Sequence, residues 1–170
     1  MEKLKLTALG KAHDIAAFHC GVEELNQWLR TTARQHAKHG TSKTYVLVSG
    51  AQPSKILGFV AIALRKPILS DELPPEMSKR LPSVVHGYTL ARLAVSVDAQ
   101  GQGIGRRLLL EGMEKTYHAA KLVGGYALFV DAKEGATSFY EKYGFRLFKE
   151  EPDILVLPFD SFPPFPEQPS

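Results

Sequence analysis

The order of elements predicts an α/β (α+β) fold, a central mixed β-sheet flanked by helices. Three observations carry that expectation. β-branched and aromatic runs joined by short turns fill much of the first half, a strand running through a glycine-rich loop into a helical pattern follows at residues 90–121, and a further strand, helix and closing strands complete the chain. Hairpins early and a strand-helix-strand unit late require both strand directions in one sheet.

Leu4 to Leu9 reads as an edge strand and Phe18-His19-Cys20-Gly21 as a turn. Val22 to His39 carries Leu25, Trp28, Leu29 and Ala33 at helical spacing, which turns one face to the core. Thr44 to Val48 and Ile56 to Leu64 are β-rich runs either side of Gly50-Ala51-Gln52-Pro53-Ser54, the signature of an antiparallel hairpin. The polar stretch Pro67 to Pro82 holds a short helix around Glu76 to Arg80, and Val84 to Val97 returns to a strand. Gly103 to Lys121 is the long helix, Tyr126 to Val130 a strand, Glu134 to Tyr143 a helix ended by Gly144, and Phe145 to Leu157 carries the closing strands. Residues 1–160 are expected to form one domain and residues 161–170 a proline-rich, loosely ordered tail; no internal repeat interrupts the order.

At 170 residues the chain suits one domain with a real core. A hydrophobic fraction of 44% and a charged fraction of 23% suit a soluble globular protein, and no apolar run approaches the ~20 residues that cross a bilayer. Met1-Glu2-Lys3-Leu4-Lys5-Leu6 lacks a signal-peptide core, so the expected compartment is the cytoplasm. The single cysteine, Cys20, excludes an internal disulfide and reads as a small buried thiol. The net charge of +3 is mild, so a nucleic-acid partner would need a local cluster of cations.

Gln100-Gly101-Gln102-Gly103-Ile104-Gly105-Arg106 is the most informative stretch. It joins the strand Leu90 to Val97 to the helical Leu108-Leu109-Leu110, which aims unpaired amides and the positive end of a helix dipole at the turn. Glycines remove the Cβ atoms that would hold a phosphate off the backbone and tolerate positive φ. A P-loop would end in Gly-Lys-Ser/Thr, whereas Gly105 precedes Arg106-Arg107. A dinucleotide fingerprint wants a glycine further into the helix and an acid about 20 positions on, in a strand that opens the domain. A plain strand-to-helix turn and a diphosphate cradle both remain. Gln100, Gly103 and Gly105 meet the pattern Gln/Arg-x-x-Gly-x-Gly/Ala, and on those residues the loop resembles the acetyl-CoA pyrophosphate loop of the GNAT acetyltransferases.

Three further segments are similar to one branch of that family, the TacT/AtaT-like toxins of type II toxin-antitoxin systems that acetylate aminoacyl-tRNA. They are Phe18-His19-Cys20-Gly21 through Leu25-Asn26-Gln27-Trp28-Leu29, Arg92-Leu93-Ala94-Val95, and Phe139-Tyr140 through Gly144-Phe145; the likeness runs from about Phe18 to Leu157. Asn26 stands where the branch has Asp, Ala91 where it has Gly, and Ser96 where it has Asp. The resemblance implies the GNAT fold, with strands ending near Val97 and Val130 splaying apart to admit the pantetheine arm. It implies acetyl-CoA as co-substrate and no metal, backbone groups of Leu93 and Val95 on the pantetheine and the carbonyl oxygen, and the amides from Gln100 to Arg106 on the pyrophosphate. It also implies a ribbon-helix-helix antitoxin covering the site and a toxin homodimer.

Acetyl transfer needs a free amine, polarisation of the thioester carbonyl and a proton for the departing thiolate. By the family match Tyr140 is the proton donor; a phenol with a pKa of about 10 is protonated at neutral pH. As helix residues alone, Phe139 and Tyr140 read first as aromatics packing on the sheet. Thr89 to Val97 contains no carboxylate to serve as general base, which favours an α-amine, of pKa about 7.7–8.0, over a lysine of about 10.4. Arg30, Arg34 and Lys38, spaced by four, form a cationic stripe suited to a phosphate backbone, with the solvated end of a helix as the plain alternative. Arg92 is expected to contact the acceptor end of tRNA, with Lys79 and Arg80 extending the track. His36 and His39 have no carboxylate or thiol at ligand spacing, so no metal is expected. The leading expectation is a toxin that acetylates the α-amino group of charged tRNA; the alternatives are an N-acetyltransferase of a small amine or protein N-terminus, and a non-catalytic acyl-CoA-binding co-repressor.

Overall fold

The computed structural model describes residues 3–132, 135–148 and 151–166. Among them the strands are β1 (Leu4–Ala8), β2 (Ser42–Ser49), β3 (Gly58–Leu64), β4 (Ile68–Leu69), β5 (Val84–Val85), β6 (Gly87–Val95), β7 (Ala127–Asp131), β8 (Arg146–Phe148) and β9 (Glu151–Pro158). The helices are α1 (Glu23–Thr31), α2 (Ala33–Lys38), α3 (Pro75–Ser78), α4 (Ile104–Val123) and α5 (Thr137–Glu141). Seven strands form one mixed sheet in the order β1-β2-β3-β6-β7-β9-β8, and β4 and β5 form a separate ribbon. β1 lies at an edge, as its position in the sequence predicts.

The chain divides into two compact units, Met1–Ala63 with Ala91–Gly112, and Leu64–Leu90 with Met113–Ser170. In the first, β1 pairs antiparallel with β2 from Leu4↔Ser49 to Ala8↔Tyr45, and β2 with β3 from Ser42↔Ala63 to Leu47↔Gly58. Leu25, Trp28 and Leu29 of α1 are buried with Phe18, Val46 and Phe59. The Trp28 and Phe59 rings stack at 5.9 Å, and Phe18 meets Phe59 edge-on at 5.4 Å. Glu23 and Glu24 in the first turn of α1 and Arg30 in its last complement the helix dipole.

The single helix expected from Val22 to His39 is two helices in succession. Thr31 Oγ1 donates back to Gln27 O at 2.7 Å, and Thr32 leaves helical geometry at φ −120°. A threonine bonded to its own preceding turn bends a helix, and two β-branched residues in a row compound the effect.

In the second unit β6 and β7 run parallel from Gly87↔Ala127 to Leu90↔Val130, and β7 pairs antiparallel with β9. A Cβ on Gly87 would lie 2.5 Å from Ala127 O, so only glycine permits this approach. Ile68, Leu73, Val85, Ala127, Phe129, Phe148 and Val156 form the core. The β4-β5 ribbon is an addition to the sequence reading. α3 covers Pro75–Ser78 where Glu76 to Arg80 was expected. α5 begins at Thr137, and the expected helix start at Glu134 lies outside the described residues, as does 167–170 of the expected tail. The described part of the tail is packed rather than loose: Phe162 stacks on Tyr117 of α4 at 6.3 Å, and Phe165 meets the same ring at 5.7 Å. Two aromatic rings offset the ordering entropy that proline-rich composition alone suggested would prevail.

Candidate active site

The glycine loop is held from below. Past Val95, Ser96 N–H bonds Leu57 O at 2.8 Å and Val97 N–H bonds His19 O at 2.9 Å. Asp98 receives Lys55 Nζ at 2.7 Å and Ser96 Oγ at 2.6 Å, and these partners hold its carboxyl below the usual carboxylate range. Gln100 Nε2 donates to Cys20 O and to Val95 O, each at 3.0 Å. Its side chain is therefore committed beneath the loop, and what it offers an anion is its backbone N–H.

Asn26, fully buried, supports the same turn by accepting Cys20 N–H at 2.9 Å, with its amide nitrogen 3.1 Å from His19 Nδ1. Cys20 is buried, as expected, and its thiol donates to Val22 O at 3.4 Å.

On this base Gly101 and Gly103 both take φ +80°, and a Cβ on either would meet nothing within 4 Å. The space above the loop is open, while the backbone conformation is one that L side chains avoid. Gly105 is already inside α4. Arg107 N–H makes the first bond of the helix ladder to Gly103 O at 3.1 Å, so the amides of Gly103 to Arg106 have no intrahelical acceptor. Exposed glycines, free amides and a twenty-residue helix behind them fit a diphosphate. Arg106 is exposed beside them. Arg107 is used structurally, bonding Leu4 O at 3.1 Å and pairing with Glu111 at 3.5 Å.

The ladder between β6 and β7 ends at Leu90↔Val130, so Ala91 to Val95 makes no rung with β7. Leu93 and Val95, both half-buried, lie in this stretch; Val95 O is taken by Gln100.

In the second unit Tyr140 is buried on α5, 6% exposed, against the rings of Phe139 at 5.1 Å and Phe145 at 6.1 Å. Burial pushes its phenol up to about 12. No hydrogen bond ties its hydroxyl to the described residues, which leaves the O–H to donate elsewhere. The same unit brings together Arg65, Thr89, Phe129 and Asp131, a cluster that no sequence spacing signals because its members lie up to 66 positions apart.

The four cations expected to meet tRNA lie in the first unit and are differently employed. Arg30 Nη2 donates to Phe18 O at 2.8 Å, and its Nη1 lies 3.6 Å from Glu23. Arg34 Nη2 bonds Gly10 O at 2.9 Å. Both fasten the segment that precedes α1. Lys38 is exposed on the last turn of α2. Arg92 lies 5.4 Å above the Trp28 ring and donates to Ala91 O. A cavity of about 490 Å³ beside Phe18, Ile56, Lys55 and Asp98 contains none of the residues assigned from sequence. Among the described residues no three His, Cys, Asp or Glu side chains gather as a metal site, and no helix is long and apolar enough to cross a membrane.

Residues 40–147 match the acetyltransferase (GNAT) domain model. The chain is 29% identical over 150 residues to a tRNA-acetylating toxin of Mycobacterium tuberculosis (strain ATCC 25618 / H37Rv), covering 88% of each. A tyrosine-to-phenylalanine mutant of KacT superposes with a TM-score of 0.85 at 32% identity, covering 93% of this chain and 96% of that one. AtaT complexed with acetyl-methionyl-tRNAfMet gives a TM-score of 0.86 at 28% identity, covering 94% and 96%. A tyrosine-to-phenylalanine mutant of AtaT, bound to acetyl-CoA and the C-terminus of the antitoxin AtaR, gives 0.77 at 28%, covering 93% and 94%.

Proposed function

The chain belongs to the GNAT family of acetyltransferases, and from that premise we propose that it moves acetyl from acetyl-CoA to the α-amino group of an aminoacyl-tRNA, removing that tRNA from translation. The observation that carries this conclusion is the likeness to AtaT with its acetylated tRNA, which extends over 94% of the chain. The family match includes both the Gly101–Gly103 loop and Tyr140.

Acetyl-CoA supplies the acetyl group as a thioester, already activated toward an amine. The amides from Gln100 to Arg106 (Gly101, Gln102, Gly103, Ile104 and Gly105 between them) hold its diphosphate, and backbone groups of Leu93 and Val95 hold the pantetheine arm and polarise the carbonyl. Tyr140 gives its proton to the sulfur as the C–S bond breaks and regains one from water. The amine forms the C–N bond and loses one proton to water, so an amide and a thiol replace an amine and a thioester. A phenol raised to about 12 is protonated throughout the physiological range, which suits a proton donor rather than a base.

Arg30, Arg34, Lys38 and Arg92 provide the positive surface for the acceptor stem. A cognate antitoxin neutralises the enzyme, as the AtaT complex with its antitoxin segment supports. We place that antitoxin in the ribbon-helix-helix class and the toxin in a homodimer. The substrate puts the protein in the cytoplasm. A cell-free translation reaction tests the proposal: protein plus acetyl-CoA should arrest synthesis, and fresh charged tRNA should restore it. Arrest that does not require acetyl-CoA would contradict it.

A further inference from the structure

Arg65 follows β3 and is fixed at its backbone by a 3.0 Å bond to Gly87 O. Its side chain is 18% exposed and lies with the guanidinium 5.1 Å from the Phe129 ring. From there Nη1 reaches Asp131 Oδ1 at 2.9 Å and Thr89 Oγ1 at 3.4 Å. Thr89 and Phe129 are rung partners between β6 and β7, and Asp131 stands two residues beyond Phe129 on the same face, one step past the last rung. Its side chain is 46% exposed, and its second oxygen bonds nothing among the described residues.

Stability does not explain this arrangement, because a half-exposed ion pair contributes at most about 1 kcal/mol while a mostly buried arginine must be desolvated. Its position is more informative. In open α/β sheets ligands gather outside the carboxyl ends of parallel strands, and Asp131 is the carboxyl end of β7 where the parallel ladder stops. A carboxylate pinned through one oxygen and open at the other is preorganised to accept a charge-assisted hydrogen bond from an N–H donor. No residue of β6 offers an acid.

We propose that Asp131 is the carboxylate that receives the acceptor's α-amino group, and that Arg65 positions it. The inference rests on amine acetylation as the reaction. Asp131 accepts one N–H of the substrate, which fixes the direction of the nitrogen lone pair; the proton released when the C–N bond forms passes to water. The cluster thereby distinguishes an amine from a bare hydrogen at the same carbon.

The test compares inhibition by two forms of one tRNA, one carrying an aminoacyl ester and the other the matching acyl ester with hydrogen in place of the amino group, alongside kcat/KM for acetyl transfer. The wild-type enzyme should bind the amine form about 10-fold or more better, the scale of a hydrogen bond to a charged group. Asp131→Asn should bring that ratio close to one and lower kcat/KM, with acetyl-CoA binding unchanged; Asp131→Glu should restore part of it. Arg65→Gln, which leaves the carboxylate but frees it, should produce a smaller loss in the same ratio. Wild-type discrimination and kcat/KM in both Asp131→Asn and Arg65→Gln would overturn the inference while leaving tRNA acetylation intact. Failure of the wild-type enzyme to acetylate any charged tRNA would remove the reaction itself, and the role of Asp131 with it.

Discussion

The side-chain amide of Gln100 reaches back 3.0 Å to the carbonyl of Val95, so the residue that opens the glycine loop closes the strand before it. The same nitrogen bonds Cys20 O at 3.0 Å, which fastens the loop to the turn ahead of α1. The glycine loop proposed to cradle the diphosphate is thus stiffened from beneath by a side chain of its own first residue.

Gln100→Ala removes two neutral hydrogen bonds, each contributing about 1 kcal/mol net. Thermal unfolding should show a loss of roughly 1–2 kcal/mol by that scale, and titration calorimetry a several-fold weaker affinity for acetyl-CoA.

Gly103→Ala places a side chain at φ +80° without any clash, so its cost is conformational, about 1–2 kcal/mol. The added methyl projects into the open space above the loop. Acetyl-CoA affinity should therefore fall by more than the stability loss explains, as measured by calorimetry beside denaturant unfolding. Unchanged affinity would remove this glycine from the cradle.

Tyr140→Phe keeps the ring and deletes the O–H. On the proposed mechanism this removes the proton donor and should lower kcat by roughly 10²–10⁴-fold with acetyl-CoA binding retained. The variant has a second signature. Because folding raises this phenol from about 10 to about 12, the folded state is favoured fully below pH 10 and loses that advantage as pH rises toward 12. Wild-type stability should drop by about 3 kcal/mol more than that of the variant across this window, at roughly 1.4 kcal/mol per pKa unit.

Lys38→Ala and Arg34→Ala should separate contact from support. Lys38 is exposed, so its loss should leave unfolding unchanged, weaken tRNA binding for every tRNA alike and flatten the salt dependence by about one counterion. Arg34 bonds Gly10 O, so its loss should also lower stability, by about 1–2 kcal/mol. Filter binding across a salt series, with parallel melts, reads both.

The chemistry-bearing core of this fold was legible because it is local. Strand, glycine loop and helix follow one another in sequence, and the positive φ of Gly101 and Gly103 is what their glycines signal. Asn26 looked like a mere departure from a pattern, yet it is buried and bonds Cys20 N–H. What escaped reading is non-local or short. The bend at Thr32 depends on a threonine hydroxyl choosing its own turn, β4 and β5 have two residues each and so no period, and Gln100 meets Cys20 across 80 positions. The stripe of Arg30, Arg34 and Lys38 had the right spacing, but spacing does not reveal that two of its members also bond loop carbonyls. Arg65 and Asp131 were invisible for the same reason: only folding brings them within 2.9 Å.

The most direct test of the central claim is transfer of labelled acetyl from acetyl-CoA to a pool of charged tRNA, run beside the same pool deacylated. Label should appear on the charged pool alone and leave with the amino acid when the ester is hydrolysed. No label on charged tRNA, from protein shown to bind acetyl-CoA, would contradict the account and return the enzyme to the acetyltransferases of small amines.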